Sequence, residues 1–298
     1  MKKLSIFAIA LTGTLAAATS AFAATCNTPG GFDAFLKDMR KDAAKAGVSP
    51  RGLAALEGVT VDDKVLAADK RQHVFKQTFE QFSGRMISKD RLTKGGNHML
   101  RHASMLSRIE QQFGVPGSVI VAIWGLETDF GINQGKMSIV RSTATLAYDC
   151  RRSEKFQGEL IDALRIIDRG DMTAEQMKGD WAGEIGQTQF LPSSYVKHAV
   201  DFDGDRRRDL VSSVPDVLAS TANYLKGHGW QRGKGWGPDE PNFAVIKEWN
   251  KADVYARTIA LFAQKLDGGG SAKAAEIPPT SERLPPATAQ QQPRRTLR

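Results

Sequence analysis

From Val115 to Glu127 the chain reads as one helix in which an apolar stripe runs into a carboxylate. Pro116 suits the first turn, where its missing N–H is no loss. Ile120, Ile123 and Trp124 recur at i, i+3 and i+4, and i+7 on the same stripe is Glu127. A glutamate is seldom buried without a partner. Desolvation disfavours its charged form and raises its pKa. The acid then stays protonated near neutral pH, ready to protonate a leaving oxygen. Gly131 closes the helical region. The alternative is a glutamate at a fraying helix end, in water or beside a lysine.

The same helical period recurs from Phe32 to Leu266: Phe32-Phe35-Met39, Val74-Phe75-Phe79-Phe82, Met99-Ala103-Leu106-Ile109, Leu160-Leu164-Ile167 and Val254-Ile259-Phe262-Leu266. The expected class is mainly α with a minor β element. The candidate strand is Phe243-Ala244-Val245-Ile246, behind the Gly- and Pro-containing stretch from Gly233 to Pro241. After Asp267 come Gly268-Gly269-Gly270, Pro278-Pro279, Pro285-Pro286 and Gln290-Gln291-Gln292. So few large apolar residues cannot offset the entropy of ordering, and residues 268–298 are expected to be a disordered tail.

Met1-Lys2-Lys3, an apolar run from Leu4 and the close Ala21-Phe22-Ala23 have the order of a secretory signal. The apolar run falls short of the ~20 residues of a spanning helix. Cleavage after Ala23 is expected, giving a soluble, monomeric periplasmic product with no membrane anchor and one domain over residues 24–267. Such compartments permit disulfides, and Cys26 with Cys150 is the single intramolecular pairing available. The formal charge of +8 becomes +8 − 2 = +6 without Lys2 and Lys3. Five basic and two acidic residues from Gly268 onward account for +3 more, leaving about +3 on the domain. That balance suits weak attraction to an anionic wall polymer. It is too mild for nucleic acid, and no aromatic-basic interleaving supports one. No P-loop or dinucleotide fingerprint is present. His98 and His102 share a helix face with no third ligand evident.

A second segment, Gly183-Glu184-Ile185-Gly186-Gln187-Thr188-Gln189-Phe190-Leu191-Pro192-Ser193-Ser194-Tyr195, is dense in Gly, amides and hydroxyls, the groups that bond sugar hydroxyls. It also suits a polar loop before a helix capped by Ser193 or Ser194. Together with Phe113-Gly114-Val115-Pro116, Gly125-Leu126-Glu127-Thr128 and Asn223-Tyr224-Leu225-Lys226-Gly227-His228-Gly229-Trp230, it resembles the lytic murein transglycosylase B family over Phe32 to Leu266. The resemblance implies a lysozyme-like helical core around a glycan-binding groove, acting on peptidoglycan strands. Glu127 matches the family's single catalytic acid/base. Gln189, Phe190, Tyr224 and Tyr255 match groove positions, and Arg151 and Arg152 an arginine pair near the groove. Asp180 stands where some members carry serine and is a candidate groove residue. Glu184 stands where some carry alanine, and Gln187 and Thr188 replace a tyrosine and a glycine.

Ordinary glycosidases use two carboxylates, and none pairs clearly with Glu127 here. Asp129 is too near along the chain to face it, while Asp180 and Glu184 are candidates. The resemblance implies that the substrate's N-acetyl group attacks its own anomeric carbon, and that the C6 hydroxyl then closes a 1,6-anhydro ring. The alternatives are a hydrolytic muramidase using Asp180 or Glu184 to hold water, and a non-catalytic wall-binding protein. No cofactor is required by this chemistry. Asp201, Asp203, Asp205, Arg207 and Asp209 fall at positions 1, 3, 5, 7 and 9 of a calcium loop, with Asp216 expected to close it. Arg206 occupies the position that favours glycine, and the other reading is an acidic turn neutralised by its own arginines.

Overall fold

The computed structural model describes residues 24–71 and 77–274, the last of these by backbone. The expected signal segment 1–23, Val74 and Phe75 of one helical period, and residues 275–298 of the expected tail lie outside the described residues. The chain begins with α1 (Gly31–Lys45), α2 (Pro50–Leu53) with a 3-10 turn (Ala54–Leu56), α3 (Asp63–Lys70) and α4 (Phe79–Met86). There follow α5 (Lys89–Arg101), α6 (Ala103–Phe113), α7 (Gly117–Thr128), β1 (Met137–Ser138), α8 (Ile139–Tyr148) and α9 (Ser153–Arg169). The remainder comprises β2 (Lys178–Gly179), α10 (Pro192–His198), α11 (Val214–Gly227), α12 (Phe243–Trp249) and α13 (Asp253–Ala274).

The helix read from the Glu127 segment is α7, and it lies at the centre. Every residue of it is buried except Glu127. Val119, Val121, Ala122 and Leu126 are as enclosed as the stripe residues, which is the behaviour of a helix apolar on all sides. α13, α5, α11 and α6 pack around it. Gly125 allows the approach: a Cβ there would stand 2.7 Å from the Phe130 ring and 3.1 Å from that of Phe262. A second layer, α8 against α9, carries α10 and α2 on α9.

Four local expectations are corrected. Phe243–Ile246 is not a strand but the start of α12, with Phe243, Val245 and Ile246 turned into the core. The β pairing is elsewhere: Met137 lies opposite Gly179 and Ser138 opposite Lys178, antiparallel. The single helix expected across Met99 to Ile109 is two, broken at His102 (φ −107°, ψ 18°). Neither Ser193 nor Ser194 caps α10, which starts on Pro192 with Leu191 at its N-cap. Instead the Ser193 N–H and hydroxyl both donate to the Glu159 carboxylate, each at 2.9 Å. The last helix also runs to Ala274, past the expected boundary at Asp267.

Cys26 and Cys150 are joined, with Cα atoms 5.2 Å apart. Around the bridge, the Ala24 N–H donates to Asp42 at 3.1 Å and Gln157 Nε2 donates to the Ala24 carbonyl at 2.9 Å. The loop closed by the bridge spans 124 residues, for which the chain-entropy account gives about 5 kcal/mol of stabilisation. Cys26→Ser should lower the unfolding free energy by up to that amount in urea titrations. An unchanged midpoint would mean that the hydrogen bonds alone hold the segment around Ala24.

Candidate active site

Glu127 sits one residue from the end of α7, where the backbone turns sharply. Asp129 and Phe130 both take positive φ (53° and 62°). The Asp129 carboxylate is drawn the other way, to Arg91 at 3.3 Å and Lys94 at 3.2 Å. Partial burial opposes its ionisation, but these two cations hold it below the usual carboxylate range. Glu127 has no cation among its partners. Tyr255 Oη donates to its Oε1 at 2.8 Å and Trp249 Nε1 donates to the same oxygen at 2.9 Å. Burial raises the Glu127 pKa, the two donors pull it back, and the negative Asp180 raises it further. With both donors on Oε1, that oxygen acts as acceptor, and Oε2 is left to carry the acid proton.

Glu127 opens into a cleft of about 450 Å³. Lys155 from α9, Ser194 from α10, Tyr224 from α11, Glu248 and Trp249 from α12 and Tyr255 from α13 line it, together with Glu184, Gln189 and Phe190. Phe190 is buried and forms a floor: its ring meets those of Tyr224 and Trp249 edge-on at 5.8 and 5.5 Å. Tyr224 donates to the Glu248 carbonyl at 2.8 Å and stacks on His228 at 4.3 Å between centroids.

The second motif is a tight, knotted turn. Ile185 and Phe190 exchange backbone hydrogen bonds of 2.7 and 2.9 Å. Gly179 is required, since a Cβ there would lie 1.8 Å from the Glu184 carbonyl oxygen. Gln189 adopts φ 54° and its amide donates to the Gly186 and Gln134 carbonyls. Gln187 binds the turn to α7. Its Oε1 accepts from Trp124 Nε1 at 2.9 Å, its Nε2 donates to the Val211 carbonyl at 2.9 Å, and its own carbonyl accepts the Thr128 hydroxyl.

The structure gathers Glu127, Gln189, Phe190, Tyr224 and Tyr255 into the cleft, and leaves out three expected groove residues. Asp180 is not in the lining: its Oδ1 accepts the N–H groups of Ala182 (2.8 Å) and Glu184 (3.2 Å), so it shapes the turn. Arg151 and Arg152 do not line the cleft either, because both guanidiniums grip the buried Asp69 carboxylate. Two residues with direct roles went unassigned in the sequence. Trp249 lies beyond the expected strand Phe243–Ile246 and was given no role. Glu184 stood only as one of two candidate second carboxylates, and it is the one that lines the cleft. Burial first, then the negative charges of Asp180 and Glu127, push its pKa up to about 8, with Lys155 opposing.

The acidic loop fits a cation in part. Carboxylate oxygens of Asp201, Asp203 and Asp205 lie within 4.8 Å of one another. Arg206 takes φ 73°, the conformation glycine would supply. Asp216 is not a closing ligand: its oxygens accept the N–H groups of Phe202 (2.7 Å) and Asp209 (2.8 Å), so it props the loop from beneath. Arg207 turns its guanidinium toward Asp205 at 3.7 Å, the neutralising contact of the alternative reading.

A helical enclosure of one acid beside an aromatic cleft is the arrangement of a glycan-cleaving enzyme, and comparison narrows the class. The family model of the transglycosylase SLT domain matches residues 31–240, and the chain belongs to that family. It is 38% identical over 154 residues to membrane-bound lytic murein transglycosylase B of Escherichia coli (strain K12). That stretch is 51% of this chain and 42% of the relative, so the match spans less than half of the relative's length. Among solved structures it resembles SltB3 of Pseudomonas aeruginosa in complex with NAG-anhNAM-pentapeptide, with TM-score 0.75, 30% identity and 80% of each chain covered. It also resembles an Escherichia coli lytic transglycosylase in complex with calcium, with TM-score 0.69, 27% identity, and 81% of this chain and 93% of that one covered. The fold is thus the lysozyme-like helical one of the lytic transglycosylases.

Tyr255→Phe removes one of the two donors that favour the Glu127 carboxylate. The Glu127 pKa should rise above its already raised value. For a group that acts by donating a proton, the alkaline limb of the kcat/KM profile should then move to higher pH. An unmoved or downward-shifted limb would show that Tyr255 does not tune this acid.

Proposed function

We propose that this protein is a peptidoglycan lytic transglycosylase, cleaving the β-1,4 bond between N-acetylmuramic acid and N-acetylglucosamine and leaving 1,6-anhydromuramic ends. The observation that carries the reading is the state of Glu127: a partly buried acid at the cleft with two donors on Oε1 and, among the described residues, none on Oε2. Glu127 delivers the Oε2 proton to the leaving glycosidic oxygen while the substrate's acetamide oxygen attacks the anomeric carbon. The carboxylate so formed is held by Trp249 and Tyr255. It then takes the proton of the sugar's own C6 hydroxyl, whose oxygen displaces the acetamide and closes the anhydro ring. No water enters the balance.

The hydrolytic alternative needs a second carboxylate in its basic form. Glu184 lies in the cleft, where burial and the charges of Asp180 and Glu127 push its pKa up to about 8, which disfavours the basic form that would hold a water at neutral pH. Exported peptidoglycan is reached by a periplasmic protein, which agrees with a secretory N-terminus and a disulfide. No helix among the described residues is long and apolar enough to cross a membrane. The Asp201–Asp203–Asp205 cluster is proposed to hold a structural calcium ion; hard carboxylate oxygens are its natural ligands.

Glu127→Gln keeps the shape of the side chain but has no acidic proton, so turnover of purified sacculi should fall by about two to four orders of magnitude. Wild-type digests in heavy-oxygen water should give anhydro ends without label. Reducing muramic ends carrying heavy oxygen would make the enzyme a muramidase. For the metal, a ligand that binds the native state and not the unfolded one raises the melting temperature once its free concentration exceeds its dissociation constant. Melts in excess calcium should therefore exceed those in chelator, and coincident melts with no metal by elemental analysis would leave a plain acidic turn.

A further inference from the structure

Four carboxyl groups meet around the turn of residues 180–190, and they differ in what the protein offers them. Glu127 has two side-chain donors on Oε1. Asp180 has the N–H groups of Ala182 and Glu184. Glu159 has the N–H and hydroxyl of Ser193. Glu184 lines the cleft with Glu127, and no hydrogen-bond donor reaches its carboxyl group among the described residues. A carboxylate without donors, set among other carboxylates, is the costliest of the four to ionise. Burial therefore favours a proton on Glu184 as it does on Glu127. A neutral carboxylic acid has an O–H to donate, and no acceptor inside the protein takes this one up.

We infer that Glu184 is a substrate-positioning residue of this cleft, a neutral acid that donates a hydrogen bond to an acceptor oxygen of the bound glycan. The N-acetyl carbonyl is the strongest neutral acceptor such a strand presents. The charged and titratable groups facing Glu184 are Glu127 on α7, Lys155 and Glu159 on α9, Asp180 on its own turn and Tyr255 on α13. Lys155 alone among these is a cation, and it opposes the three carboxylates. The inference rests on the cleft being a glycan site, as proposed above.

The test is the pH dependence of KM and kcat, measured separately on soluble glycan strands from about pH 6 to about pH 9. In the wild type, ionisation of Glu184 above about pH 8 turns a donor into a repelled acceptor, and KM should rise by about tenfold, the loss of one good hydrogen bond. Glu184→Gln remains a neutral donor throughout, so its KM should stay low and flat across the alkaline range. Glu184→Ala should show a KM raised by about tenfold at every pH. The fall of kcat with pH, set by Glu127, should persist in all three proteins, with its midpoint lower in the two variants, which lack the Glu184 charge beside Glu127. Matching alkaline KM profiles for the wild type and Glu184→Gln, or a wild-type KM for Glu184→Ala at pH ~6, would overturn the positioning role. Anhydro ends in the same digests report on the underlying reaction independently. Wild-type digests without them would remove that reading while leaving the KM comparison to be judged on its own.

Discussion

An all-apolar helix cannot face water on any side, and that constraint organises the protein. α7 offers no polar stripe along which it could lie at a surface, so α5, α6, α11 and α13 must close around it. Where the enclosure ends, the helix ends too, in left-handed residues that turn Asp129 toward Arg91 and Lys94. Glu127, one step earlier, is thus presented to the cleft at the edge of that enclosure. The low dielectric that makes it a useful acid is the by-product of burying its own helix.

The neighbourhood separates four similar groups by their hydrogen bonds. Side-chain donors allow Glu127 to alternate between acid and carboxylate. Backbone donors make Asp180 part of the turn. Ser193 ties Glu159 to the start of α10. Glu184 is left to the cleft. Gln187 keeps this geometry in register, since the same side chain touches α7 through Trp124 and the loop at Val211. α7 and the loop at Val211 are therefore joined through one side chain of the turn.

Much of this was legible in the sequence. The apolar stripe placed Glu127 in an enclosed position, and the motif blocks identified Gln189, Phe190, Tyr224 and Tyr255 as cleft residues. What escaped was set by backbone geometry rather than by residue type. The break at His102 leaves Met99, Leu106 and Ile109 still spaced as on one helix, so periodicity is blind to it. Phe243–Ile246 is an apolar tetrapeptide, too short for a period to distinguish strand from helix. Asp180, Arg151 and Arg152 were placed near the groove by chain position. Their actual partners, two turn amides and the distant Asp69, come from contacts that no local pattern encodes.

The bridge between Cys26 and Cys150 links the beginning of the described chain to the junction of α8 and α9. A polypeptide delivered amino end first exposes Cys26 long before its partner exists outside the delivering machinery. Its native mate follows only after α1 to α8 have emerged, and there is no third cysteine with which to pair wrongly in the meantime. With two cysteines per chain, the one mispairing open to it is with another molecule. Pairing between neighbouring chains, rather than scrambling within one, is then the hazard its oxidative folding has to avoid.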